Sequence, residues 1–444
     1  MCAHAAPRPN RLLALLALLA LITSASAQPP KAPAPNADEQ KALEAFKAGK
    51  FDDALKSLQA AAKTNPALGL PKVVLSQWFL QAGGGEQARL VLEQAAAENP
   101  NHPHVLLANG SYALREGRVT DTILSCSAAL AATADPGLDA ESKKRYSREA
   151  RMGLVKAYEL RGNQVEVRTH LTALLDADPR NAALRQSLAR THFVLGRPDD
   201  AHADLKLAFK DDMTLDPPEL TMAELWTGKR DFAKADEWYG KAVAAHGNSA
   251  KVHRGFASYS LDRGRPDTAK VHLAAAEKIE PNARETRAIA GLLARYAKDY
   301  PRATAIFEEL VRDHPSFAFA TVNLALVLAE SGDANGKRRA AELADGFVKQ
   351  NPRDSEARAV LGYCLLKADR AADAEAAAKV ALGMGVRSPD AAYFVAKILA
   401  DRGTAEDAHK VAKAACESKD GFVYRKEAEA MVAELEKKLP PPKK

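Results

Sequence analysis

Residues 257–281 read ASYSLDRGRPDTAKVHLAAAEKIEP, and the spacing of small side chains in this stretch decides the fold. Ala257, Ala269 and Ala276 alternate with larger apolar and charged residues, and Gly264 lies between the first two alanines. Small side chains let two helix axes approach closely, while larger neighbours three and four residues away fill the gaps. A glycine between two such runs favours the left-handed end of a first helix. The stretch therefore predicts a helical hairpin.

The same pattern recurs with a period of 34 residues. A fixed period of this size is typical of arrays in which each unit packs on its neighbours. Nine extra residues precede the fourth unit and three lie within the ninth, and three units replace the turn glycine by Arg230, Lys298 or Asp369. The alanine column that contains Ala269 runs through Ala54, Ala88, Ala201, Ala235, Ala269, Ala303, Ala340, Ala374 and Ala408, with Thr122 and Val167 at the two remaining positions.

This pattern resembles the tetratricopeptide repeat family, whose small, turn, large and proline positions are matched here by Ala257, Gly264, Leu273 and Pro281. The resemblance implies an all-α fold, a right-handed α-solenoid of about eleven tetratricopeptide-like helical hairpins over residues 37–420. Apolar residues on a helical spacing predict a C-terminal capping helix at 421–439, followed by a tail at 440–444. Such a helix covers the open end of an array.

The first 27 residues have the pattern of a secretory signal. Arg8 and Arg11 precede an apolar run at 12–22, and small residues at 25–27 form a cleavage site. The run is shorter than the roughly 20 residues that cross a bilayer, so we expect no transmembrane span after cleavage. A proline-rich linker follows at 28–36. We therefore expect an exported protein, periplasmic or extracellular, with an uncleaved N-terminal anchor as the alternative.

Composition argues against several functional classes. The formal charge of +6 arises from 63 basic and 57 acidic residues, a small excess that argues against a nucleic-acid binder. The sequence contains none of the signatures of zinc proteases, serine hydrolases, nucleotide-binding loops or calcium loops. We expect no enzyme activity, no cofactor and no catalytic or metal site.

Histidines and cysteines have alternative interpretations. His102 and His104 open the third unit and could share a metal, but without a third ligand we favour ordinary turn histidines. His192 occupies a position of large core side chains and is expected to be packed and hydrogen-bonded. Cys126 is expected to be a buried thiol, and for Cys364 and Cys416 buried thiols are favoured over a disulfide.

Two surfaces are candidate docking sites. The basic run at 143–151 coincides with the insertion before the fourth unit, and it is either a solvated helix face or a site for an acidic partner. The resemblance also implies a groove lined by the first helices. The predicted groove residues are Gln77, Lys156, Arg190, Glu224, Arg254, Arg295, Tyr296, Asn323, Tyr363, Tyr393 and Lys397.

This polar lining with aromatic anchors suits capture of a peptide or protein. Long arrays of this family act in bacterial envelope complexes, so the resemblance implies a non-enzymatic scaffold for protein partners of the cell envelope, in an assembly or export complex. The alternative is direct binding of a polysaccharide, with sugars stacked on Tyr296, Tyr363 and Tyr393.

Overall fold

The computed structural model describes residues 37–331 and 333–439, which form helices and no β-strand. The expected signal (1–27), linker (28–36) and tail (440–444) lie outside these residues. Pro66–Leu68 is a short 3₁₀ turn. The α-helices are α1 (Ala37–Lys47), α2 (Phe51–Thr64), α3 (Pro71–Gln81), α4 (Gly85–Glu98), α5 (Pro103–Arg115), α6 (Val119–Ala132), α7 (Ala140–Arg161), α8 (Gln164–Ala177), α9 (Ala182–Val194), α10 (Pro198–Asp211), α11 (Pro218–Gly228), α12 (Phe232–Ala245), α13 (Ala250–Asp262), α14 (Pro266–Ile279), α15 (Arg284–Tyr296), α16 (Tyr300–Asp313), α17 (Ala318–Glu330), α18 (Ala334–Gln350), α19 (Ser355–Lys367), α20 (Ala371–Met384), α21 (Pro389–Asp401), α22 (Ala405–Glu417) and α23 (Arg425–Lys438).

Consecutive helices pair as the 34-residue period predicts. From α1 to α22 they form eleven antiparallel hairpins, odd-numbered helices being the first of each pair, and α23 follows alone. Ala235, Ala269 and Ala303 of the alanine column are each fully buried. The all-helical repeat architecture and the packing role of the small residues are therefore confirmed.

The described chain divides into two compact units at Met222. The N-terminal unit comprises residues 37–221 and the C-terminal unit residues 222–439. The core of the N-terminal unit is a series of small clusters, each shared by neighbouring hairpins. In the C-terminal unit one continuous apolar cluster extends from Ala288 in α15 to Leu435 in α23.

The turns inside the hairpins use left-handed backbone. Gly264 has φ +67° at the end of α13, as expected for a glycine at this position. Arg230, Lys298 and Asp369, which replace the glycine in three other turns, adopt the same conformation, with φ of 62°, 58° and 59°. Left-handed backbone costs an L-residue about 1–2 kcal/mol, so each of these turns retains some strain.

Both insertions lengthen a helix. The nine residues before the fourth unit extend α7 to 22 residues, and the three in the ninth make α18 a 17-residue helix. The C-terminal end differs from the expectation of a helix over 421–439, because α23 begins only at Arg425. The preceding residues 418–424 are not helical, and we call them the C-terminal segment.

Candidate functional site

The predicted groove residues all lie on first helices, and within each unit we call the surface that these helices form the first-helix face. Their exposure differs between the two units. In the N-terminal unit Gln77, Lys156 and Arg190 are exposed to solvent. In the C-terminal unit only Lys397 is exposed, and Glu224, Arg254 and Tyr296 are half-buried, whereas Arg295, Asn323, Tyr363 and Tyr393 are buried.

An open groove in the N-terminal unit runs between α5 and α7 and has a volume of about 540 Å³. Its apolar lining includes Leu107, Leu114 and Met152, and the Met152 side chain is 46% exposed. Arg148 and Lys156 of α7 line the same groove and are exposed. Part of the basic run at 143–151 therefore borders an apolar groove. This position favours a docking site over a helix face that is merely solvated.

Two glycines shape the floor of this groove. Gly110 of α5 and Gly153 of α7 lie on either side of Cys126. A Cβ atom at Gly110 would lie 2.9 Å from the Cys126 Sγ atom, and one at Gly153 would lie 2.6 Å from it. Both glycines are thus required for α5 and α7 to approach α6 this closely. Burial raises the pKa of the Cys126 thiol to about 11, so it is a packing group and not a nucleophile.

The cations along the groove have different partners. Arg145 donates to the carbonyl oxygen of Ala67 and, at 3.0 Å, to the hydroxyl of Tyr146, so it is held against the turn after α2. Within the part of the chain that the structure describes, Arg148 and Lys156 form no close ion pair with a carboxylate. Glu149 lines the same groove and interacts electrostatically with Arg145 and Arg148, so the lining carries three cations and one carboxylate and favours an acidic ligand.

The histidines of the third unit are structural in this arrangement. His102 accepts a hydrogen bond from the backbone N–H of His104 at the start of α5. The His104 Nδ1 atom accepts from the N–H of Leu70 at 3.0 Å, and burial, together with His102 and Arg145, lowers its pKa to about 4. Among residues 37–331 and 333–439 no group of three His, Cys, Asp or Glu side chains has metal-binding geometry.

His192 is packed and hydrogen-bonded, as its position predicts. Its Nδ1 atom lies 2.9 Å from a carboxylate oxygen of Asp204, which Arg185 also approaches at 3.6 Å. The three cysteines of the described chain are free thiols, so Cys364 and Cys416 do not pair in this structure.

In the C-terminal unit the first-helix face is covered by the chain's own C-terminal segment. The segment leaves the end of α22 and crosses back to α13, where the Gly421 N–H donates to the Asp262 carbonyl oxygen at 2.6 Å. Phe422 and Tyr424 are each only 4% exposed. The sequence does not predict this contact, because residues so distant along the chain carry no shared pattern.

The first part of the segment is held by arginines. The Asp420 carboxylate accepts from both terminal nitrogens of Arg230, at 3.1 and 3.2 Å, and a terminal nitrogen of Arg263 lies 3.7 Å from it. Arg263 also donates to the Lys419 carbonyl oxygen. Further along the chain, Lys298 pairs with Glu427 of α23. Two of the three strained turn residues, Arg230 and Lys298, therefore hold the C-terminal end of the chain.

The second part of the segment packs on the tyrosines that were predicted to line an open groove. The Tyr424 ring stacks on Tyr393 with centroids 5.1 Å apart, meets Tyr363 edge-on at 6.0 Å, and lies 5.4 Å from the Arg295 guanidinium. Tyr363 and Tyr393 are 2% and 5% exposed. The expectation of open aromatic anchors, for a protein or for a polysaccharide, is therefore wrong for the placement of these two tyrosines, because the chain's own aromatic residues cover them.

Other predicted groove residues of this unit are bonded to neighbouring hairpins. The Asn323 side chain accepts from Arg295 at 2.7 Å, and the Tyr296 hydroxyl donates to the Leu261 carbonyl oxygen at 3.0 Å. Arg254 donates to Glu280, at the end of α14 in its own hairpin, at 2.6 Å, and to Thr286 of the next first helix, α15, at 3.3 Å. These contacts tie the first helices together and leave few polar groups for a ligand.

Two acidic side chains lie under the C-terminal segment. Burial raises the pKa of Asp262 to about 7, and the neighbouring carboxylates of Asp420 and Asp390 add to the effect while Arg263 opposes it. Burial also raises the pKa of Asp390 to about 6, against the opposing effects of Arg295 and of the Val423 N–H. Both carboxyl groups therefore have a pKa above the ordinary value of 3.8.

No helix within residues 37–331 and 333–439 combines the length and the apolar character needed to cross a bilayer.

Comparisons with known proteins identify the repeats. Models described as tetratricopeptide repeat match residues 45–110, 290–336 and 332–389. No curated protein sequence matches the chain significantly. Solved structures similar to it include a tetratricopeptide repeat protein from Parabacteroides merdae, with 15% identity, TM-score 0.38 and coverage of 65% of this chain and 98% of that one.

Two further structures are similar at the same level. Yeast Tom70 has 16% identity and TM-score 0.35, covering 90% of this chain and 95% of its own. PilW, a type IV pilus biogenesis factor, has 17% identity and TM-score 0.34, and the match covers 58% of this chain and 98% of PilW. The matched repeat models fall on hairpins of both units and agree with the 34-residue period of the whole array. The chain is a tetratricopeptide repeat protein.

Proposed function

We propose that the protein is a non-enzymatic scaffold that binds a protein partner of the bacterial cell envelope through the groove between α5 and α7. Proteins with this fold are generally non-catalytic scaffolds that bind other proteins. We further propose that the chain acts after export, in the periplasm or outside the cell. The support for export is the sequence of residues 8–27, a basic, apolar and small-residue succession typical of a secretory signal.

One observation carries the choice of site: exposed Met152 and half-buried Leu114 share a groove with the exposed cations Arg148 and Lys156, and Glu149 is the one carboxylate among the lining residues. Apolar area supplies affinity, and cations at the rim select an acidic ligand and speed its approach. The partner is therefore expected to present an acidic, amphipathic segment, whose apolar side chains enter the groove and whose carboxylates meet Arg148 and Lys156.

Affinity capture from a bacterial envelope extract tests the site. The bait is the chain from Gln28 onward, compared with the double charge reversal Arg148→Glu with Lys156→Glu. Lys206→Glu with Lys210→Glu is the matched control, because these exposed lysines of α10 lie outside the groove and change the net charge equally. The partner should be lost with the groove variant and retained with the control. Equal recovery with both variants would remove the groove from the proposal.

Export is tested separately by fractionating cells that make the full chain. We expect the protein outside the cytoplasm, with an N-terminus at Gln28 by mass spectrometry. Retention of the intact N-terminus in the membrane fraction would support the uncleaved anchor. A cytoplasmic protein would contradict export.

A further inference from the structure

The C-terminal segment occupies its site in the way that an extended peptide ligand would. Residues 418–424 join α22 to α23 without helical structure, yet they lie across first helices of several earlier hairpins. Arg230 and Asp420 are 190 residues apart in sequence, and Arg263 and Lys419 are 156 apart. Because the surface beneath the segment is built by other parts of the chain, its subsites can be described independently of their occupant.

The first subsite recognises a carboxylate. Arg230 binds both oxygens of Asp420, and Arg263 approaches the same group while donating to the neighbouring backbone carbonyl. Bidentate hydrogen bonding by arginine selects a planar carboxylate group and fixes its orientation. Arg230 is 48% exposed and is therefore accessible from solvent while it holds this carboxylate.

The second subsite admits only glycine. At Gly421 the segment passes so close to the turn after α13 that an added Cβ atom would lie 2.1 Å from the Gly264 nitrogen and 2.6 Å from its Cα atom. Both contacts are with backbone, which cannot rotate away as a side chain can. The Gly421 N–H at the same point bonds to the Asp262 carbonyl oxygen.

The third subsite accepts aromatic rings. Tyr424 lies among Tyr363, Tyr393 and Phe394, and the Arg295 guanidinium faces its ring at 5.4 Å. Arg295 is itself only 5% exposed. Stacked rings beside a buried cation form a site of high aromatic selectivity.

We propose that the first-helix face of the C-terminal unit is a peptide-binding site for a partner segment with the pattern acidic residue, glycine, large apolar residue, any residue, aromatic residue; the third position follows from the burial of Phe422 in the apolar cluster. The C-terminal segment, with Asp420, Gly421, Phe422 and Tyr424, is its intramolecular occupant. A tethered ligand has an effective concentration of about millimolar, so a partner segment competes only when the resident segment is weakened or the partner binds tightly. This site is independent of the groove between α5 and α7.

The test uses a fluorescent peptide of the sequence SKDGFVYRK, residues 418–426, and the full chain carrying Gly421→Ala. The added methyl group should expel the resident segment. By fluorescence anisotropy we expect the peptide to bind this variant at least tenfold more tightly than the unaltered chain. The control is Gly240→Ala, at a helical glycine with no heavy atom nearby, which should bind like the unaltered chain. A peptide carrying Gly421→Ala should bind at least tenfold more weakly, and one carrying Asp420→Ala about threefold to fivefold more weakly.

A second variant keeps the proposal testable if Gly421→Ala unfolds the unit. Asp420→Ala removes a half-buried carboxylate and its interactions with Arg230 and Arg263 without adding an atom that would clash, and the full chain with this change should bind the unaltered peptide at least threefold more tightly. Equal binding to Asp420→Ala and to the unaltered chain would overturn the proposal, as would equal affinity for the altered peptides. A stable dimer of the Gly421→Ala variant would also overturn it, because the occupant would then be a second copy of the chain.

Discussion

Arg230 and Asp420, which are 190 positions apart in the sequence, form a bidentate ion pair with nitrogen to oxygen distances of 3.1 and 3.2 Å. Arg230 stands where most of the turns in this array have glycine, and it keeps the left-handed backbone of that position, at φ +62°. Arginine at this position thus keeps a strained left-handed backbone but forms an ion pair with Asp420, which glycine could not do. The same holds for Lys298, which has φ +58° and pairs with Glu427.

Arg230→Gly should loosen the C-terminal segment without weakening the turn that contains residue 230. Glycine relieves left-handed strain of about 1–2 kcal/mol, partly offset by the greater freedom of the unfolded chain. The lost ion pair is exposed and worth at most about 1 kcal/mol. By hydrogen exchange, we expect the Gly421 and Val423 amides to exchange up to about fivefold faster.

Asp369→Gly is the matched control for this change. Asp369 has the same left-handed backbone, at φ +59°, but lies in the turn after α19 and has no ion pair with the C-terminal segment. Its replacement should leave the exchange of Gly421 and Val423 unchanged. The same acceleration in both variants would mean that the Arg230 side chain does not hold the segment.

Stability of the C-terminal unit should fall as pH rises from 5 to 8. The pKa of Asp262 is raised to about 7 in the folded chain, from an ordinary value of 3.8. A raised pKa means that the folded state binds this proton more tightly, so the stabilisation is complete below about pH 4 and is lost as pH rises through 7. Thermal unfolding followed by circular dichroism should therefore show a lower melting temperature at pH 8 than at pH 5.

Asp262→Asn isolates the contribution of this group. The amide stays neutral at every pH, so the variant should show a smaller fall in melting temperature between pH 5 and pH 8. Asp401→Asn, at an exposed position, should keep the full dependence. If the melting temperature of Asp262→Asn fell between pH 5 and pH 8 as much as that of the unaltered chain, Asp262 would not be the group responsible.

The fold could be read from the sequence because its signal is local and repeated. Columns of small residues such as Ala235, Ala269 and Ala303 mark where helices cross, and each recurs at the same distance along the chain. The positive φ at Arg230 could also be anticipated, since its position in the period is that of a glycine.

Whether the predicted groove is open or covered could not be predicted from the sequence in the same way. Phe422 and Tyr424 are aromatic residues next to a helical pattern, and their spacing predicts that they belong to the capping helix. Their burial depends on Tyr363, Tyr393 and Arg295, which lie on other hairpins. Such contacts leave no periodic trace, so a first-helix position alone does not reveal whether the chain itself covers it.

The effect of Gly153→Ala on the free energy of unfolding should depend on whether Cys126 is present, and should be destabilising with it and stabilising without it. In the unaltered chain the new Cβ atom would lie 2.6 Å from the Cys126 Sγ atom, and we expect a loss of about 1–2 kcal/mol from overpacking. In a Cys126→Ala background that atom is gone, and replacing a helical glycine by alanine should gain about 0.5–1 kcal/mol. Urea unfolding of the four chains measures the coupling. Additive effects would mean that α7 and α6 are not in contact through these residues.

Ala303→Leu should destabilise the array by about 1–3 kcal/mol, because the alanine is fully buried where helices cross. Ala372→Leu, at an exposed position of α20, should change stability by no more than about 0.5 kcal/mol. Denaturant unfolding compares the two variants. Similar losses from both changes would contradict the assignment of the repeat positions.

Hydroxyl-radical footprinting of the full chain tests the central claim most directly: that the C-terminal segment covers the first-helix face of its unit. Phe51, which is 41% exposed, serves as the internal reference for an accessible aromatic ring. We expect Tyr363, Tyr393 and Tyr424 to be modified at least tenfold more slowly than an exposed ring, and Gly421→Ala to accelerate the modification of all three. Modification of these tyrosines in the unaltered chain at the rate of an exposed ring would contradict the account.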